Sequence, residues 1–440
     1  MIPRYDEKEI SSIWSEEHKF RTYIEVELAL LNALEKNGQI PKGTSQKISR
    51  KGRIDVKRID EIEKITKHDI IAFCTSITEN VPPETGKYFH FGVTSSDIID
   101  TTMMLQIKQS LKVILPRYRI LLHTMMDLCN KTRDIISMGR SHGMFAEPVS
   151  FAQRWLGHYG EFKRRYDELE SFYKNDITGQ LSGAVGNYTI LTPEIEKDAL
   201  TELGLSTEPL STQIIPRDRI AKLVTIGGLI GSSLERICVE LRHLHRSDVN
   251  EISEGFSKGQ KGSSTMPHKK NPISSENLSG MARILRSHMI LAAENIVLWH
   301  ERDISHSCAE RMYLPDHLGI LHYSLGRLES TLKNLVIHRE NIENKVTNNF
   351  TYLSSYYLHH LIKSSDFTRE KLYEVVQKAA FEGHNGNSAE IFHNTVISEM
   401  NTMGISIDLP KPDSDQIKNI YMKHLGTVFE RVTKTYPLPE

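Results

Sequence analysis

Apolar residues recur at helical spacing over long stretches of the chain. From Ile220 they fall at Leu223, Ile230, Leu234, Ile237, Leu241 and Leu244, with Gly227 filling one slot. Steps of three and four residues put them on one face of a helix. The spacing predicts a single helix over 217–250, roughly 50 Å long at about 1.5 Å per residue. A second stripe, Phe151, Trp155, Phe162, Tyr166, Leu169 and Tyr173, follows Glu147-Pro148, which reads as a helix start. A third runs over 275–300 through Leu278, Met281, Leu285 and Leu298. Helices this long need partners along their length, so the pattern predicts an antiparallel bundle. Period-two alternation is nearly absent. Its one exception is 180–191, where Gly183 and Gly186 suggest a short hairpin.

Three helical regions are expected: an N-terminal one over 1–105, the long-helix bundle over 106–355 and a C-terminal cap over 356–440. The cap carries shorter amphipathic segments and a proline-rich end (Pro410, Pro412, Pro437, Pro439). The fold class predicted is all-α.

Composition narrows the function. The chain has 440 residues, 39% hydrophobic and 25% charged, with a formal net charge of −1. That balance argues against disorder and against a broad basic face for nucleic acid. Cys74, Cys129, Cys238 and Cys308 show no CxxC spacing, which fits a reducing cytoplasm rather than a disulfide framework or zinc ribbon. The N-terminal residues lack the apolar core of a signal peptide. The longest apolar run, 223–234, is too short to span a bilayer. No Walker loop or GxGxxG motif is found, so ATP- or NAD-type phosphate cradles are not supported.

The most informative segment is 259–272. Gly262, Ser263 and Ser264 form a strip rich in backbone N–H groups and hydroxyls. Pro267 and Pro272 stiffen its far end, and Lys269, Lys270 and Asn271 add charge and donors. Ser274, Ser275 and Glu276 can open the next helix. Such a loop can wrap an anion; the plain alternative is a surface turn with basic decoration. His243 and His245 fall on different faces of a helix and do not read as a metal pair. His359 and His360 read as a surface pair, and Arg283 and Arg286 as solvated or intersubunit groups.

The run from Gly262 to Pro272 closely resembles the signature of the fumarase/aspartase superfamily, whose members release fumarate by breaking C–N or C–O bonds. Within it, six further elements resemble the adenylosuccinate lyase family. They are Arg4-Tyr5, Lys67-His68-Asp69, the segment from Thr94 to Asp97, the segment from Gly139 to Gly143, Thr212-Gln213, and the segment from Glu301 to Ser307. They match in order over about three quarters of the chain. Phe145 stands where many members have histidine, so a second-histidine role there is lost. Cys308 stands where a second serine is usual, which weakens that hydroxyl pair as an anion site.

The resemblance implies a β-elimination in purine nucleotide synthesis, acting on adenylosuccinate to give AMP and on the succinylated aminoimidazole carboxamide ribotide. It implies Ser263 as general base and assigns catalytic positions to Lys269, His142 and His68. The chemistry needs a base, donors for the developing charge and an acid for the leaving nitrogen. His142, just ahead of the predicted helix, is the expected acid, and His68 orients it or binds substrate. Substrate contacts are expected from Arg4, Tyr5, Lys67, Asp69, Thr94, Ser95, Gln213, Ser264, Lys270, Asn271, Glu276, Arg302, Ser307 and Arg311. His90 has two readings, a phosphate contact and a packing role. Arg302 and Arg311 share a ligand only if the chain turns between them, near Ile304-Ser305-His306.

The reaction is redox-neutral and its acid–base groups are side chains, so no metal or organic cofactor is expected. The implied assembly is a homotetramer whose active sites are shared between subunits, because segments from opposite ends of a long bundle cannot meet within one subunit. The rival readings are another fumarate-releasing lyase and a non-catalytic helical module on the same fold.

Overall fold

The computed structural model describes residues 2–255, 259, 265–266, 268–386 and 388–439. It is mostly helical, as the apolar spacing predicts. Contacts divide the chain into two compact units. The first comprises Met1–Leu121, Phe162–Cys238 and Ser275–Leu328, and the second Leu122–Glu161, Val239–Ser274 and Glu329–Glu440.

The first unit holds most of the long-helix core. Helices span Glu16–Lys36, Asp69–Thr78 and Ile273–Glu294, and longer ones begin or end here: Ser95–Lys131, Phe151–Asn175, Asp218–His245 and Ser305–Lys333. The longest has 37 residues, roughly 55 Å at about 1.5 Å per residue. Ile220, Leu223, Ile230, Leu234 and Ile237 are buried on one face, as are Phe162, Tyr166 and Leu169. Phe172 closes that second stripe instead of Tyr173, which is half-buried. Gly227 and Gly228 permit close helix approach. A Cβ on Gly227 would meet the His317 ring at 2.0 Å, and one on Gly228 the Met289 sulfur at 2.2 Å.

The second unit contains an element the periodicity missed. Ile136–Ser141 and Met144–Ser150 form an antiparallel hairpin, with Ser141 opposite Met144. Its two turn residues, His142 and Gly143, have φ of +55° and +80°, the signature of a type I′ turn, whose twist matches the flanking strands. A register shift between Met138 and Arg140 breaks the alternation. Glu147-Pro148 therefore lies in a strand; the helix it was expected to start begins at Phe151. Ile136 and Met138 pack into the same apolar cluster as Tyr357, Leu372, Phe392 and Met400 of the C-terminal helices. These span Leu353–Ser364, Arg369–Asn385, Ala389–Thr402, Ser414–Met422 and Leu425–Thr435.

The hairpin expected over 180–191 does not form. Thr178–Gly179 pairs in parallel with Ser206–Thr207, and the chain turns through Gly183 and Gly186 without strand partners. The long central helix ends at His245 rather than at 250, and the one expected to reach 300 ends at Glu294.

Candidate active site

In the first unit, seven of the residues singled out from sequence line one cavity of about 440 Å³: Lys67, His68, Asp69, Ser95, Arg302, Ser307 and Arg311. Local folding explains why. Lys67 caps the Val56–Thr66 helix at φ +54°, a left-handed conformation that turns the chain sharply. His68 then caps the Asp69–Thr78 helix, its Nδ1 accepting the Ile71 N–H at 3.4 Å. With Nδ1 accepting, the ring proton of a neutral His68 sits on Nε2. Asp69 accepts an Arg311 hydrogen bond at 2.8 Å.

Arg302 and Arg311 reach the same cavity because the chain turns between them. Asp303 accepts from Trp299 N–H at 2.8 Å and from Ser305 N–H at 2.9 Å. It thereby starts the Ser305–Lys333 helix, whose first turn carries Ser307. These bonds, led by those of Ser305, hold the Asp303 carboxyl down at about 2. Arg302 donates to Gln213 Oε1 at 3.0 Å, and Gln213 is fixed by donating to Ala184 O at 2.9 Å. Gln213 is neutral, so the Arg302 charge is not spent on it. Among the described residues Lys67 and Arg302 pair with no carboxylate, whereas Lys19 is taken by Glu16 and Arg311 by Asp69. The cavity thus keeps two cations for an anionic ligand.

Its floor is a network the sequence reading did not anticipate. Arg217, almost fully buried, donates to both Asp100 oxygens and, at 2.9 and 3.2 Å, to both Glu310 oxygens. Burial alone would lower the Arg217 pKa; the two carboxylates outweigh it and raise it. His306 Nδ1 lies 3.1 Å from Glu310. His306 Nε2 and Thr102 Oγ1, both on the cavity wall, are buried without a hydrogen-bond partner among the described residues. A polar ligand atom could satisfy them.

Thr94 and Ser95 precede the same floor. Asp97 accepts from Thr94 N–H at 2.8 Å and from Ser182 and Gly183 N–H, both at 3.1 Å. Burial nevertheless raises its carboxyl to about 7. Tyr5 packs edge-on to Tyr323 at 5.4 Å, and its hydroxyl accepts from Asn277 at 3.5 Å. Arg4 is exposed in the short turn beside it, and Glu276 is exposed in the first turn of its helix. His90 holds φ +60°, with its ring Nδ1 2.7 Å from Glu27 and its backbone N–H donating to the same carboxylate. Burial works to lower its pKa; Glu27, with Asp97, raises it on balance.

His142, Lys269, Lys270 and Asn271 belong to the second unit. His142 is exposed at the hairpin turn, not at a helix start. The strand leading to it is anchored by Arg140, which pairs with buried Glu251, itself 3.0 Å from Lys345. Burial raises the Glu251 pKa, and the two cations bring it down on balance. Phe145 lies under the Arg140 guanidinium at 5.1 Å. His245 accepts the Glu254 N–H at 3.2 Å and donates to Lys270 O at 3.0 Å, holding the chain ahead of the signature segment and at its far end. Glu254 in turn accepts from Ser274 N–H at 3.0 Å. Ser263 and Ser264 lie outside the described residues.

Comparison with known proteins agrees with this picture. A family model described as Lyase matches residues 4–285. The chain is 43% identical to adenylosuccinate lyase of Aquifex aeolicus, over 91% of both chains. It is 38% identical to that of Thermotoga maritima, over 99% of this chain and 100% of the relative. In fold it is similar to a fumarate lyase from Mesorhizobium, with TM-score 0.83, 19% identity and coverage of 97% and 98%. It is equally similar to a 3-carboxy-cis,cis-muconate lactonizing enzyme from Pseudomonas putida, with TM-score 0.83, 19% identity and coverage of 98% and 97%. The chain is a lyase and belongs to the adenylosuccinate lyase family, on the fumarase/aspartase superfamily fold.

Proposed function

We propose that the chain cleaves adenylosuccinate to AMP and fumarate, and the succinylated aminoimidazole carboxamide ribotide to its carboxamide and fumarate, in purine nucleotide synthesis. The observation that carries this reading is the cavity that gathers Lys67, His68, Asp69, Ser95, Arg302, Ser307 and Arg311, with two cations that pair with no carboxylate among the described residues. A nucleotide bearing a succinyl group supplies phosphate and carboxylate charge for such cations. The names of the relatives favour the same substrate.

In this reading Ser263 takes the proton from the carbon beside a carboxylate. Lys269 and the neighbouring N–H groups stabilise the resulting charge. His142 gives a proton to the departing nitrogen as the C–N bond breaks, and His68 binds substrate or orients His142. Arg4, Tyr5, Arg302, Ser307 and Arg311 hold the phosphate, and Thr94, Ser95 and Gln213 hold carboxylate and amide edges. Lys67, Asp69, His90, Ser264, Lys270, Asn271 and Glu276 complete the contacts. Both proton transfers use side chains, so the reading calls for no cofactor.

The same reading includes a homotetramer with shared sites, as the family resemblance implies. It is supported by large apolar side chains left on the surface of the first unit, among them Val297, Trp299 and Met312, each at least 77% exposed. Among the described residues no helix is long and apolar enough to cross a membrane. We place the enzyme in the cytoplasm on the pattern of its cysteines. Adding adenylosuccinate to the purified chain should change the purine ultraviolet absorbance and release one fumarate per nucleotide. No change with either nucleotide would overturn the assignment.

A further inference from the structure

Glu27, Cys74 and His90 converge in the first unit from three separate segments: the Glu16–Lys36 helix, the Asp69–Thr78 helix and the turn ahead of Ser95. Their donor atoms, a carboxylate oxygen, a thiol sulfur and a ring nitrogen, all lie within 4.8 Å of one another. An ion at the centre of such a triangle would lie less than about 3 Å from each donor. Bonds of about 2.3 Å to sulfur and about 2.0–2.2 Å to nitrogen and oxygen then need only a small contraction. One thiolate, one imidazole and one carboxylate is a donor set that suits zinc and leaves the fourth tetrahedral position for water. We propose that Glu27, Cys74 and His90 form a site for zinc-class divalent cations.

The surroundings support a site rather than a chance cluster. Glu27 is fully buried, and its described charge partner is His90, so the carboxylate already sits where a cation compensates it. Its second oxygen is held by the His90 backbone N–H at 3.1 Å, which orients the ligand. His90 keeps 22% side-chain exposure and offers the ion an entry path. The other such cluster among the described residues, Glu7, Glu9 and His322, has no thiol, and Arg117 donates to both of its carboxylates, a fixed positive charge that opposes a metal ion.

Binding is ligand exchange without redox change. The Cys74 thiol releases its proton to solvent and forms the sulfur–metal bond. His90 gives up the Nδ1 proton it donates to Glu27, to its own Nε2 in the neutral ring or to solvent from the charged one, and the freed nitrogen binds the metal; one water completes the sphere. Burial and the Glu27 charge push the Cys74 thiol up, so proton release is part of the equilibrium and affinity rises with pH. Because the ion captures His90, zinc inhibits turnover; this consequence alone rests on the proposed reading of His90 as a substrate contact.

The test uses the chelator-treated full chain titrated with cobalt(II), whose bond to a thiolate gives a near-ultraviolet charge-transfer band. One cobalt per chain should produce the band, and zinc should displace it. Cys74→Ser should fold and turn over normally, lose the band and bind zinc at least about tenfold more weakly. Cys308→Ser, at an exposed thiol, should keep both. Absence of the band, or a band that persists in Cys74→Ser, overturns the site. Zinc should slow the wild type and spare Cys74→Ser. A band without zinc inhibition would leave the site standing and overturn His90 as a substrate contact.

Discussion

Replacing Arg217 with methionine removes the cation at the cavity floor and leaves Asp100 and Glu310 facing each other in the interior. Arg217 and Asp100 are each about 2% exposed and Glu310 6%, so water cannot take the place of the guanidinium. Breaking a buried ion pair from one side costs about 3–5 kcal/mol, most of it the penalty on the orphaned charge. Here two carboxylates are orphaned and the hydrogen bonds to Asp100, Glu310 and Ile215 O are lost together, which places the expected loss at the upper end. With an unfolding entropy near 2.1 cal/mol/K per residue, a chain of this length loses about 1 °C of Tm per kcal/mol. Differential scanning calorimetry at one chain concentration should therefore show Tm about 5 °C lower, or more if the first unit unfolds separately. The Arg217→Met/Asp100→Asn/Glu310→Gln triple variant removes the charges together and should recover most of the loss. A single variant within 1 °C of wild type, or a triple variant as unstable as the single, would refute charge compensation as the role of Arg217.

Ser263→Ala should fold normally and lose about 10²–10⁴ in kcat if it is the general base; near wild-type turnover in a stopped-flow or steady-state assay sinks that role. His142→Gln should lower kcat far more than it raises KM, and a loss confined to KM would make His142 a binding residue. If the two residues of one site come from different subunits, exchanging subunits between these two inactive variants should restore part of the activity; no recovery despite exchange seen by mass would place both on one chain. Glu27→Gln should remove the support that Glu27 gives to protonated His90. That contribution, which raises the folded pKa above the unfolded value near 6.5, is fully present below that pH and fades as pH rises through the folded pKa. The Tm gap between wild type and variant should therefore narrow from pH 5.5 to pH 8.5, and a gap that widens contradicts the pairing.

The long helices were legible in the sequence because their burial is one-sided. Ile220, Leu223, Ile230, Leu234 and Ile237 form a stripe that any helical reading recovers, and the structure buries all five. The 136–150 hairpin was illegible for the opposite reason. Its first strand is buried over three consecutive residues, its second is exposed over four, and the bulge after Met138 shifts the phase between them. Neither strand shows the alternation that a period-two search needs. Its turn carried a weak signal in His142-Gly143, since glycine at the second position suits the left-handed conformation of a type I′ turn. Glu147-Pro148 then pointed the wrong way: proline is common at helix starts, and here it occupies a two-stranded ribbon, where every strand is an edge.

The candidate site divides along the same line. Lys67, His68 and Asp69 are adjacent in sequence, so a motif can hold them, and Arg302 with Ser307 lies on one turn. Arg217 is bound to Asp100 and Glu310, which lie 117 and 93 residues away, and at the mouth of an apolar helix it looks like an ordinary first-turn charge. Glu27 is equally hidden. Its place between Val26 and Leu28 breaks a hydrophobic run, and only the fold shows that His90, 63 residues later, stands opposite it. For Glu27 the sequence signal is a charge inside an apolar run, which Arg217 lacks. Burying it unpaired costs several kcal/mol, so a partner from elsewhere in the chain is physically required. What the pattern cannot supply is the partner's identity, because helix periodicity constrains neighbours at three and four residues and says nothing of contacts a hundred residues apart.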